Sequence, residues 1–348
     1  MLRERIEGKW IDCFADVFAK CGVGDGEVVA ILSETQSRRV HVELSELALL
    51  RLGCRPFHVV LPSPRLLAPA PVRSSGASAA VGQLEPVISA LAASVLVVDV
   101  TVEGLLHSPE LPSILAGGAR LLMISNEHPE ILERLVPDEK LEPRVRAGVR
   151  MLKAAPEMRV TSSVGTALTV HLSGARLVGN WGYTSRPGTV THWPGGLCAA
   201  FPAANSVNGR LVLASGDANL TFKRYVREPV TLIIENDYVV RIEGQGLDAE
   251  MLRSYFAAWG DREAYAVSHV GWGLNAAGRW EAMTFYDRRD FNGTELRVLA
   301  GNFLYSTGAN EVAGRYTLGH FDFPCRGCTI DLDGSVIVEA GRLVGELA

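Results

Sequence analysis

The stretch Val95–Val100, VLVVDV, decides the fold. It is a short apolar run without alternation, too brief for a helix and rich in β-branched residues, so it reads as a strand buried on both faces. That burial is typical of parallel sheets. Working outward, EVVAIL (27–32), PFHVVLP (56–62) and RLLMIS (120–125) repeat the signature. Helical spacing fills the intervals: residues 2–21, with Ile6, Trp10, Phe14, Val17 and Phe18 on one face; a helix capped by Ser33, running to about Leu52 and stopped by Gly53; then 85–93, 109–116, 128–135 and 137–154. Residues 73–83, RSSGASAAVGQ, read as a small, polar, flexible loop. Strands alternating with helices predict an α/β unit with a mainly parallel sheet and right-handed crossovers.

The pattern changes after Pro156. MRVTSSVGTALTVHLSG (158–174) alternates with period two, and GRLVLASG, PVTLIIENDYVVRIEGQG and GCTIDLDGSVIVEAGRLVGEL read as hairpins with Asn-Asp, Asp-Gly and Gly turns. One helix interrupts them at 248–259. The expected organisation is therefore an α/β domain over 1–156 and a mainly antiparallel α+β domain over 157–348, in line with about 150 residues per domain.

Composition narrows the function. The 348 residues carry 34 basic and 39 acidic side chains, a net charge of −5. That balance, with no aromatics interleaved among Lys and Arg, argues against nucleic acid as a partner. The opening MLRERIEGKWIDCFADVF lacks the apolar core of a signal peptide, and no run approaches a membrane span. Six scattered cysteines are too few for a secreted disulfide framework, so a reduced, cytoplasmic protein is expected. Cys325-Arg-Gly-Cys328 has no second CxxC to complete a zinc site and precedes strands rather than a helix, so it reads as structural thiols in a turn.

Gly22-Val-Gly24-Asp-Gly26 precedes a strand, whereas a dinucleotide fingerprint follows one. P-loop, nucleophile-elbow and HExxH motifs do not occur. The histidines remain. His41 falls in a charged helix, His128 in a turn expected at the surface, and His58 and His171 within strands. Four others sit in unusual surroundings. His320 and Asp322, in GHFDFP (319–324), would share one face of a strand with two aromatics behind them. His269 lies in SHVGWGLN (268–275), where glycines allow close backbone approach. Two imidazoles and a carboxylate could hold an octahedral iron or a hydrolytic zinc, and spacing does not separate the two. His107 follows the VLVVDV strand, in the kind of loop where open α/β sheets bind ligands. His192 lies in THWPGG (191–196). Each could be a proton carrier, a substrate hydrogen-bonder or a packed loop histidine.

Together LLHSPE (105–110), NWGY…HWPGG (180–196), SHVGWGLN (268–275), GNFLYSTGAN (301–310) and GHFDFP (319–324) resemble, in order and over most of the chain, the 2,5-dihydroxypyridine 5,6-dioxygenases. These are mononuclear Fe(II) enzymes of nicotinate and pyridine catabolism with a fold akin to thermophilic metallo-aminopeptidases. The resemblance implies His269, His320 and Asp322 as iron ligands. It implies His107 and His192 as catalytic groups reaching the substrate, Ser306 near the pocket, and Tyr183 in the pocket wall. Asn180 stands where the pattern leads one to expect an acidic residue.

The implied reaction adds both atoms of dioxygen to the ring between C5 and C6, giving N-formylmaleamate, with His107 or His192 removing the 5-hydroxyl proton and the ring stacking on Trp193 or on nearby aromatics. Partners would be a small aromatic substrate and dioxygen, and the family tends to form homo-oligomers. Rival readings are a related dioxygenase acting on another hydroxylated ring, a two-metal aminopeptidase, for which the bridging glutamates cannot be placed, and a non-enzymatic small-molecule binder.

Overall fold

The computed structural model describes residues 5–65 and 77–348. Residues 73–76 of the expected loop lie outside that range. The first sheet is fully parallel and five-stranded. Its order is Arg55–Leu61, Val28–Glu34, Leu96–Asp99, Arg120–Ile124 and Val190–Trp193. VLVVDV forms its central strand.

Alternation assigns each side chain to one of two cores. Val29, Ile31, Leu96, Val98, Leu122 and Ile124 pack beneath the helices Gly8–Lys20 and Arg39–Arg51. Ala30, Leu32, Val97, Leu121 and Met123 pack on the other side with residues of the helices Glu85–Ala92 and Leu111–Ala116. Coverage of both faces explains why these strands show no polar alternation. The helix Arg39–Arg51 stops as expected at Gly53, whose φ is +76°. Its start differs: Ser33 remains in the strand Val28–Glu34, and the helix begins with no side-chain cap. The intervening turn is closed instead by Ser37, whose hydroxyl accepts from the Glu34 N–H.

Beyond residue 156 the chain is mainly antiparallel, as the alternation predicts. An eight-stranded sheet includes the three hairpin regions, and its turns at Asn236-Asp237 and Asp333-Gly334 take positive φ. A five-stranded sheet runs Phe321–Cys325, Phe303–Thr307, Val267–Gly273, Leu197–Phe201, Arg176–Asn180. The largest core lies between these two sheets. The strand Val190–Trp193 returns from this half of the chain to complete the parallel sheet. Among the described residues no helix is long and apolar enough to cross a membrane.

Cys325 ends one strand and Cys328 opens the next, with Arg326 and Gly327 turning between them. All six cysteines are free. Burial pushes the Cys328 thiol up to about 12, so both neighbours behave as packed, unreactive groups. His128 is buried rather than superficial, and its Nδ1 accepts from the Glu130 N–H at a helix start.

The glycines of SHVGWGLN do admit close approach, but what approaches is the protein itself. A Cβ on Gly271 would lie 2.1 Å from the Cys198 carbonyl oxygen on the adjacent strand. We expect Gly271→Ala to force these strands apart and cost about 2 kcal/mol or more. A urea-melt midpoint equal to that of the wild type would contradict this packing.

Candidate active site

Three neighbouring strands of the five-stranded sheet set one row of side chains. His269 lies opposite Ser306, and Ser306 lies opposite Asp322. Directly opposed residues share a face, so the register alone brings these groups together. The flanking Phe321 and Phe323 point to the other face, stacked 4.3 Å apart in the main core. His320 immediately precedes its strand and joins the row from the end. Its Nε2 is 3.3 Å from Asp322 Oδ1, and His269 Nε2 is 3.9 Å from the same oxygen. The two imidazoles are 5.8 Å apart and within 24° of parallel. The Ser306 hydroxyl donates to Asp322 Oδ1 and sits 3.0 Å from His269 Nε2.

A fourth element supplies countercharge. Arg297, on the short helix Thr294–Val298, donates from Nε to Asp322 Oδ2 at 2.5 Å. Burial alone would raise the Asp322 carboxyl, but His320 and Arg297 hold it well below the usual carboxylate range. Burial also lowers the imidazoles. His269 falls to about 3 despite the pull of Asp322. His107 falls to about 4 through burial and its neighbour His320, and His192 to about 4 through burial, partly offset by the Pro194 carbonyl. At neutral pH these three rings are uncharged and keep a lone pair for a metal or a proton.

His107 arrives from the parallel sheet on a loop folded around buried Asp99. That carboxylate accepts from the Thr101 N–H, the Thr101 hydroxyl and the Leu105 N–H at 3.0, 2.7 and 2.7 Å. His192 arrives on the strand Val190–Trp193, opposite Met123. Its Nδ1 lies 2.9 Å from the Pro194 carbonyl oxygen, and Asn180 Nδ2 lies 2.7 Å from its Nε2. His107, His192, His269, His320 and Asp322 all line one inner cavity of about 80 Å³, with Leu106, Met123, Leu197 and Leu304 as apolar wall. His107 and His320 also line an outer cleft of about 670 Å³.

Two expected pocket residues are elsewhere. Trp193 follows His192 on the same strand and therefore points to the opposite face. It is fully buried, its ring 5.0 Å from Phe14 and its Nε1 donating to the Leu135 carbonyl at 2.9 Å. It offers no surface for stacking. Tyr183 donates its hydroxyl to Glu142 and lines a separate pocket of about 200 Å³ with Trp181 and Arg146. The ring nearest His269 is Phe201, at 5.1 Å. Phe201 and Arg297 escaped sequence reasoning because neither stands in a diagnostic motif. The trace Arg297 leaves in the sequence is its charge, two residues after Glu295 in FNGTELRVLAG (291–301).

Among the described residues, no three or more His, Cys, Asp or Glu side chains are drawn tightly enough to hold a metal as they stand. Donors at right angles around an ion at ~2.1 Å lie about 3 Å apart. The His320–Asp322 pair is near that spacing. His269 is about 1 Å beyond it, with the Ser306 hydroxyl in between.

The model of the NicX family, described as 2,5-dihydroxypyridine 5,6-dioxygenase, matches residues 9–345. A curated 2,5-dihydroxypyridine 5,6-dioxygenase from Pseudomonas putida is 39% identical over 336 residues, 95% of each chain. The solved structure of the 2,5-dihydroxypyridine dioxygenase from Pseudomonas putida KT2440 superimposes with a TM-score of 0.91 at 37% identity. It covers 97% of this chain and 98% of that one. Wild-type AmpT from Thermus thermophilus shares the fold, with a TM-score of 0.64 at 15% identity over 97% and 99% of the two chains. By family model, sequence identity and fold, this chain belongs to the 2,5-dihydroxypyridine 5,6-dioxygenase family.

Proposed function

We propose that this protein is an Fe(II)-dependent dioxygenase that opens 2,5-dihydroxypyridine between C5 and C6. Dioxygen adds without loss of atoms, giving N-formylmaleamate. The observation that carries this reading is the row His269–Ser306–Asp322 with His320 beside it, in a chain 39% identical to an enzyme of that name. The donor set fits the metal: two imidazoles and one carboxylate leave half of an octahedron open. The inner cavity suits a single small ring, being far below the ~300–1,000 Å³ typical of drug-sized ligands. Free cysteines and a small neutral substrate are compatible with the cytoplasm. The family resemblance also carries the expectation of a homo-oligomer.

Bound by His269, His320 and Asp322, Fe(II) would supply the redox link between the electron-rich ring and dioxygen. The chain's own groups do the rest. Burial keeps the His269 imidazole unprotonated, so metal and proton do not compete there near neutral pH. Arg297 and Ser306 fix the two oxygens of Asp322 in place. The leucines and Met123 exclude water. Of the two proton carriers, we assign the base to His107. Both its cavities are open to ligand, and its ring makes no hydrogen bond within the described residues. His192, by contrast, is engaged by Pro194 and Asn180.

Anaerobic loading with Fe(II), then addition of 2,5-dihydroxypyridine and oxygen, is expected to consume one dioxygen per substrate. His320→Ala should bind no iron and show no uptake, and full activity without iron in that variant would sink the assignment. For His107→Gln we expect iron to be retained and kcat to fall about 10²–10⁴-fold, the usual worth of a general base. His192 makes a pH prediction. Its unfolded pKa is about 6.5 and its folded value about 4, so the unfolded chain alone takes up a proton between those values. Its contribution to stability is therefore complete above pH 6.5 and lost as pH falls towards 4. The urea-midpoint gap between metal-free wild type and His192→Gln should shift against the wild type from pH 7.5 to pH 4.5. An equal gap at both pH values would show that His192 titrates normally.

A further inference from the structure

The inner cavity has one polar wall that the reaction as described leaves idle. Asn292 lines it and is only 5% exposed. Its backbone N–H donates to Glu127 Oε2 at 2.6 Å, and its side-chain Nδ2 donates to the Ser125 hydroxyl at 2.8 Å. Its Oδ1 is buried and has no hydrogen-bond partner. A buried carbonyl oxygen left unmade costs about 1–3 kcal/mol, and such orphans are rare enough to require an explanation.

The orphan is held rigidly. Glu127 also accepts from the N–H groups of Gly293 and Thr294 at 2.9 Å each, so the turn carrying Asn292 is pinned on three sides. The same turn opens the helix of Arg297, which grips Asp322. Asn292 is thus fixed relative to the proposed metal ligands. One amide N–H is spent on Ser125, and Oδ1 is left unpaired on a residue that lines the cavity.

From this we infer that Asn292 Oδ1 is the recognition group for a ring N–H of the substrate. The inference rests on the proposed function. In its lactam form 2,5-dihydroxypyridine carries a ring N–H, a donor that a carbocyclic ring of the same shape lacks. An unpaired acceptor in a cavity otherwise walled by leucines and a methionine would select the N-heterocycle over its carbon analogue. Discrimination by a buried polar group is strong because the wrong ligand leaves that group unpaired.

The test compares 2,5-dihydroxypyridine with 1,4-dihydroxybenzene, which replaces the N–H by C–H, on the iron-loaded enzyme. Asn292→Ala is expected to raise KM for the pyridine about tenfold while the inhibition constant of 1,4-dihydroxybenzene stays within about twofold. A general disturbance of the cavity would move both constants together. Asn292→Ser, which can keep a bond to Ser125 while removing Oδ1, should give the same split and guards against a folding defect in the alanine variant. An unchanged KM, or a parallel rise in both constants, would overturn the role of Asn292. A wild-type enzyme that leaves 2,5-dihydroxypyridine untouched would overturn the proposed function instead, so the two failures are distinct.

Discussion

Everything at the site depends on one buried anion. Asp322 is 4% exposed, and an unpaired carboxylate there would be prohibitively costly. Arg297 holds one oxygen and Ser306 the other, and His320 lies 3.3 Å away. Deleting a partner of a buried ion pair costs about 3–5 kcal/mol, so Arg297 is a positioning residue whose loss would free the carboxylate to turn. The geometry places the charge where a cation would compensate it.

The same device recurs around the cavity. Asp99 folds the loop that delivers His107, and Glu127 pins the turn that delivers Asn292 and Arg297. Burial raises both carboxyls, Asp99 to about 6, against the pull of their hydrogen bonds. Backbone N–H groups that a loop would otherwise leave unsatisfied are thereby used as fasteners. Side chains from the parallel and the antiparallel sheets are thereby brought to one cavity.

Much of this was legible in the sequence. Unalternating apolar runs gave the parallel sheet, because both faces of that sheet are covered by helices. Period-two alternation gave the antiparallel half, and the spacing of His320 and Asp322 gave their shared face. What stayed hidden depends on distance. Arg297 precedes Asp322 by 25 residues and meets it only through the packing of a five-residue helix. Asn292 acquires meaning only once its Oδ1 is seen to lack a partner. Trp193 misled for the opposite reason. Its neighbourhood suggested an aromatic pocket wall, but strand alternation beside an inward His192 already required the indole to face the core. Ser33 likewise looked like a cap, yet the strand ran on through it.

That alternation has a consequence for how the segment can change. His192 and Trp193 serve opposite sides of one strand, so a substitution at either position damages either the cavity or the core. A gain or loss of a single residue just before them would exchange their sides, pushing an indole into the cavity and an imidazole into hydrocarbon. Chain length within the strand Val190–Trp193 is therefore constrained as tightly as residue identity, and insertions or deletions are accommodated instead in the exposed turn 185–188 that precedes it.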